Sequence, residues 1–161
     1  MGGSSGIGEA TATRFAADGA EVIVTGRDQA KLDAAVERIA GKSSAYRLDA
    51  TDSTQLQTFF AASGAVDHLI LAVSGSAGAG PIAELSLDDL AAGFDGKFWP
   101  YLRILKAGLP TLRKDGSITL VTAASARSAF PGTAGLAAIN GALEAMVAPR
   151  AVELAPLRVN A

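Results

Sequence analysis

The chain has 161 residues, 49% hydrophobic and 19% charged, which is enough apolar material for one buried core. A formal net charge of -2 gives no electrostatic basis for binding nucleic acid or an anionic membrane. The absence of cysteine excludes a disulfide framework, a thiolate zinc site and a cysteine nucleophile.

The glycine loop GGSSGIG (Gly2–Gly8) opens the chain. A helical pattern follows in which Ile7, Thr11 and Phe15 share one face and Gly19 supplies the stop. Next comes the first strand-like run, EVIVTG (Glu21–Gly26), then a second helix from Asp28 to about Ala40, capped by Asp28, with Leu32, Val36 and Ile39 inward. SAYRL (Ser44–Leu48) reads as a strand, and Thr51 or Asp52 opens a third helix toward Phe59. HLILAV (His68–Val73) is the third strand, and the only histidine, His68, reads as a strand-edge residue. A long fourth helix is expected over Leu90–Arg113, then the strand SITLVT (Ser117–Thr122). A fifth helix over Thr133–Leu154, kinked at Pro149, precedes the strand LRVN (Leu157–Asn160). No apolar run approaches the ~20 residues of a membrane span, and no charged leader with an apolar stretch precedes the glycines.

Short, nearly all-apolar strands alternating with helices predict an α/β fold, a doubly wound parallel sheet with right-handed crossovers and helices on both faces. No linker or composition shift divides the chain, so one domain spanning 1–161 is expected. Glycines immediately before a helix allow a tight turn and let a pyrophosphate approach unpaired N–H groups at the helix N-terminus. By itself such a loop is a weak signal.

GGSSGIG resembles the phosphate loop of the short-chain dehydrogenases/reductases, with Met1 at the threonine position of that motif. LDATD (Leu48–Asp52) is similar to the family's adenine-binding strand end, GSITLVTAAS to its serine-bearing strand, and ELAPLRVNA to the approach to its sixth strand. The resemblance covers the whole chain. It implies a Rossmann-like sheet in which the family's first, central strand and the part beyond the start of the sixth are missing. The two flanking strands would then lack a ladder partner, and an incomplete chain is expected.

The resemblance implies cofactor contacts from Gly2, Ser4, Ser5, Gly6, Ile7 and Gly8, from Asp49 and Ala50 beside an adenine, and from Ala72, Val73 and Ser74. The family's acidic NAD-selecting residue is replaced by Gly26, followed by Arg27, whose guanidinium suits a 2′-phosphate. NADP is therefore expected over NAD.

Catalysis in the family rests on Ser, Tyr, Lys and Asn, and all four positions differ here. No Tyr-x-x-x-Lys occurs; Leu136 stands at the tyrosine position, Asn140 at the lysine, Ala123 at the serine and Lys97 at the asparagine. Lys97, Ser125 and Asn140 are the catalytic candidates, with Thr122 and Arg127 as further donors. The plainer expectation makes Lys97 a solvated helix residue and Thr122 and Ser125 strand-end hydrogen-bonders. Phe98 and Trp99 are expected to pack on the long helix, a common oligomer interface in the family.

Three functions stay open: an NADP-linked oxidoreductase of a small carbonyl or alcohol with a non-standard proton donor, a catalytically inactive nucleotide-binding regulator or partner subunit, and a non-functional fragment. A cytoplasmic homo-oligomer with no metal, nucleic-acid or membrane partner is expected.

Overall fold

The computed structural model describes residues 1–161, and every strand pairs in parallel. In chain order the elements are α1 (Gly6–Ala17), β1 (Val22–Gly26), α2 (Gln29–Arg38), β2 (Ser43–Arg47), α3 (Ser53–Ser63) and β3 (Val66–Leu71). There follow α4 (Leu87–Gly93), a π-helical turn (Phe94–Phe98), α5 (Trp99–Gly108), β4 (Leu112–Leu120), α6 (Ala134–Ala145), α7 (Val147–Glu153) and β5 (Arg158–Asn160). No helix is long and apolar enough to cross a membrane.

Caps explain where the helices start. Asp28 accepts from Lys31 N at 3.1 Å, and Asp52 accepts from Thr54 N and Gln55 N at 2.9 and 3.0 Å. After α1 the chain turns at Gly19, whose φ of +90° suits only glycine without strain.

The strands form two sheets. β1 pairs with β2, Val22 opposite Ser43 through Gly26 opposite Arg47, while β4 lies between β3 and β5. Between β1 and β3 no strand intervenes, as the resemblance implies. Met1–Gly3 bridge the two at one end: Met1 N donates to Ile70 O and Ala72 N to Met1 O, both at 2.9 Å, while Gly2 N and Gly3 N donate to Thr25 O. The rest of the divide is a narrow slot of about 100 Å³ between Val22–Val24, Ile70 and the α1 residues Thr11, Ala12 and Phe15.

Each sheet keeps its own core. The larger joins Leu69 and Leu71 of β3, Ile118 and Leu120 of β4 and Val159 of β5 with Phe59 and Phe60 of α3 and Tyr101, Ile104 and Leu105 of α5. The smaller holds Ala12, Ala16, Val24, Leu32 and Ile39. On α1, Ala12 and Ala16 are the buried positions, whereas of the face that Ile7, Thr11 and Phe15 share, Thr11 and Phe15 are half-buried and Ile7 is 64% exposed. A helix lying over a narrow two-stranded sheet presses small residues against it, and Ile7 is left at the mouth of the neighbouring cleft.

Two long helices are also corrected. The fourth runs from Leu87, breaks into the π turn, and ends at Gly108, because Leu112–Lys114 already belong to β4. The fifth breaks at Met146 rather than at Pro149. Pro149 lacks the N–H that would bond the carbonyl of Ala145, so the interruption falls one turn earlier and Pro149 sits in the tolerant first turn of α7.

Candidate functional site

At the C-terminal ends of the strands lies one cleft of about 610 Å³. Its β1–β2 side is built by the glycine loop. Gly2 and Gly6 have φ of +75° and +56°, and a Cβ on Gly8 would collide with the carbonyl oxygen of Gly2. The loop therefore folds back tightly over the start of α1 only because these positions lack side chains. Ser5 caps α1 without a side-chain hydrogen bond, and the N–H groups of Gly6, Ile7 and Gly8 have no protein acceptor. Three free donors at a helix N-terminus facing a cleft fit an anionic phosphate.

Beside the loop, Arg27 and Asp49 share the cleft wall. Thr51 donates to Asp49 Oδ1 from its N–H at 2.9 Å and its hydroxyl at 2.8 Å. These bonds, helped by the Arg27 charge, hold the Asp49 carboxyl below its ordinary range. Arg47 Nε donates to the carbonyl of Arg27 at 3.2 Å, placing a second cation behind it. The sequence reading missed Arg47, although its position opposite Gly26 on adjacent parallel strands is where a partner for Arg27 would fall. Across the cleft, Ala72, Val73 and Ser74 follow β3. All the residues expected to touch a cofactor thus line the same cleft.

The β3–β4 side brings together the four substituted positions. Lys97, Ala123, Leu136 and Asn140 all line it, with Val121, Thr122, Gly93, Gly96 and Pro100. Lys97 is no solvated helix residue: it is only 9% exposed, and its Nζ donates to Asn140 Oδ1 at 2.7 Å. The π turn is the cause, because one extra residue in the turn rotates Lys97 off the outer face. Burial lowers the Lys97 ammonium below its ordinary pKa. Asn140 in turn donates from Nδ2 to Leu136 O at 2.8 Å, which fixes its carbonyl oxygen toward the lysine.

Other candidates lie elsewhere. Ser125 does not line the cleft; its hydroxyl is buried without a partner, so it is not the strand-end hydrogen-bonder expected. Thr122 donates to Glu144 Oε1 at 2.7 Å, as a strand-end hydroxyl should, and Arg127 is spent on Glu144 Oε2 at 2.6 Å. His68 lies on β3 with its Nδ1 2.9 Å from Ser117 Oγ, outside the cleft. Tyr101 was not singled out by its sequence context. Its hydroxyl lies within 2.8 Å of Leu71 O and Val121 O and 3.1 Å of Val73 O, fully buried beneath the cleft floor. Burial pushes this phenol well above the ordinary range, so it is a brace and not an acid.

A family model described as enoyl-(acyl carrier protein) reductase matches residues 2–161. A short-chain dehydrogenase/reductase from Stachybotrys chlorohalonatus is 28% identical over the whole of this chain and 69% of its own. The chain belongs to the short-chain dehydrogenase/reductase family.

The family resemblance extends to other members. The 1-deoxy-11-beta-hydroxypentalenate dehydrogenase of Streptomyces avermitilis is 32% identical over 84% of this chain, which spans 53% of that protein's length. Among solved structures, a short chain oxidoreductase from Pseudomonas aeruginosa described as containing an atypical catalytic center superposes with a TM-score of 0.90. It is 28% identical, with 99% of this chain and 65% of that one covered. Family members bind a nicotinamide dinucleotide, and the free N–H groups of the loop with the open cleft fit such a group. When bound, it supplies or accepts a hydride at its nicotinamide ring. Gly6, Ile7 and Gly8 would hold its phosphates and Arg27 its adenosine end, while Ala72–Ser74 lie toward the β3–β4 side.

Proposed function

We propose that this short-chain dehydrogenase/reductase is an NADP(H)-linked oxidoreductase that interconverts a small carbonyl compound and its alcohol. One observation carries the reading: a single cleft joins the glycine loop and Arg27 on one side to the buried Lys97–Asn140 pair on the other. A phosphate cradle at one end and a titratable group at the other is what hydride transfer with proton exchange requires.

Arg27 supports the choice of NADP. With Gly26 in place of a carboxylate, the last residue of β1 carries no charge to repel a 2′-phosphate, and the guanidinium of Arg27 can donate to it in pairs. A charge-assisted bond of ~1.5–3 kcal/mol corresponds to roughly ten- to a hundredfold in affinity. Titration with NADPH and NADH, followed by the fluorescence of Trp99, tests this. Native chain should prefer NADPH, and Arg27→Ala should weaken NADPH by that factor while leaving NADH unchanged. Equal affinities in the native chain would overturn the preference.

A second reading, a nucleotide binder without turnover, draws on Leu136 and Ala123, which put aliphatic side chains where relatives carry hydroxyls. A panel of neutral ketones and aldehydes with NADPH separates the two: oxidation of NADPH supports the enzyme, and tight binding with no oxidation supports the silent binder. The proposal extends to a cytoplasmic homo-oligomer assembled through α4 and α5, where Leu87 and Trp99 stay 79% and 45% exposed. Sedimentation would report it.

A further inference from the structure

We propose that Lys97 is the proton donor in carbonyl reduction and the acceptor in the reverse direction, and that Asn140 is the residue that positions it. The inference rests on the oxidoreductase reading and assigns the group which that reading leaves open.

An ammonium carries three N–H donors, and Lys97 spends one on Asn140 Oδ1. Its exposed remainder faces the cleft, where Gly96 opens space and Leu136, Ile139 and Pro100 supply an apolar wall. Two donors are therefore free to meet a carbonyl oxygen in a site that favours an uncharged ketone or aldehyde. Asn140 cannot swing to serve another partner, because its own Nδ2 is held by Leu136 O. No other titratable side chain lines the β3–β4 side: Arg127 lies outside the cleft on Glu144, and Tyr101 is sealed beneath the floor, while the hydroxyl of Thr122 is committed to Glu144.

Charged groups on the surrounding elements do not set the state of Lys97. Asp95 lies on its own turn, Asp88 and Asp89 on α4, Arg103 and Lys106 on α5, and Glu144 on α6. Asp89 accepts from Gly78 N and Glu144 from Thr122 and Arg127; burial alone accounts for the lowered Lys97.

In reduction, a hydride reaches the carbonyl carbon, the π pair of the C=O bond takes the proton from Lys97 Nζ, and an alcohol forms. The dihydronicotinamide is oxidised and the carbonyl reduced. Lys97 is left neutral and regains its proton from solvent. The rate of reduction should therefore fall as pH rises through the Lys97 pKa.

The test pairs a titration with turnover. In chain labelled with ¹³C at the lysine ε-carbons, one signal should titrate below the others, and Lys97→Arg should remove it. Asn140→Leu, which loses the acceptor that favours the ammonium, should move that titration lower; Asn140→Asp should move it higher. The falling limb of the pH–rate profile should follow in both directions, which loss of packing would not produce. Lys97→Arg, which keeps the charge but holds its proton, should cut turnover of a neutral ketone by ~10²–10⁴, with NADPH affinity changed less than about threefold. A native chain that binds NADPH but reduces no ketone would sink the oxidoreductase reading and this inference with it. Native turnover that survives Lys97→Arg, or an ordinary Lys97 titration, would sink the Lys97 assignment alone.

Discussion

At the scale of single residues, two side chains outside the Lys97–Asn140 pair hold the site together. Tyr101 places one hydroxyl among the carbonyls that close β3 and β4, so Tyr101→Phe takes the donor from Val73 O and Val121 O, while Leu71 O keeps Val121 N. A loss of about 1–3 kcal/mol in urea unfolding is expected. Glu144 is held below its ordinary pKa by Thr122 first and then Arg127. A carboxyl depressed in the folded state contributes stability that is present above its unfolded value of about 4.3 and is lost as pH falls through the folded one. The thermal midpoint of native chain should therefore drop more steeply on acidification than that of Glu144→Gln. Residue identity made part of the site legible and hid the rest. Arg27 is legible as a cleft residue because it follows a strand end directly. Lys97 is not, since a lysine in a helical pattern reads as solvated, and its partner is 43 positions away.

At the scale of elements, the π turn is what the sequence conceals. Phe94–Phe98 have the composition of the helices on either side, so the hydrophobic pattern runs through them as one long helix. The extra residue shows only in three dimensions. Its seat depends on Gly93, where a Cβ would lie 2.6 Å from both Ala77 O and Ile139 Cδ1. Gly93→Ala should push the turn off α6, costing about 1–3 kcal/mol and lengthening the Lys97–Asn140 contact. Chemical unfolding together with the Lys97 titration would report both. By contrast, β-branched runs made β1, β3 and the end of β4 readable, whereas β2 carries no β-branched residue and the start of β4 hides its strand. There Arg113–Gly116 are polar and glycine-ended, and the ladder slips between Val66 and His68. Pairing overrides propensity at that point.

At the scale of the molecule, two sheets of unequal strength share one cleft. The β1–β2 half holds the smaller core, so its amides should exchange with solvent before those of β3 and β4 in native-state hydrogen exchange. NADPH should slow exchange in β1 more than in β4, because the nucleotide would touch the glycine loop and the residues after β3 together. Equal protection in both halves without nucleotide would contradict the division. A ligand seated in the cleft would touch both halves at once, adding its grip to the Met1–Gly3 bonds and to the Phe15–His68 and Tyr46–Phe59 ring contacts that already cross the divide. A hundredfold excess over its dissociation constant adds about 2.7 kcal/mol. The urea midpoint of the folded chain would then rise with nucleotide concentration.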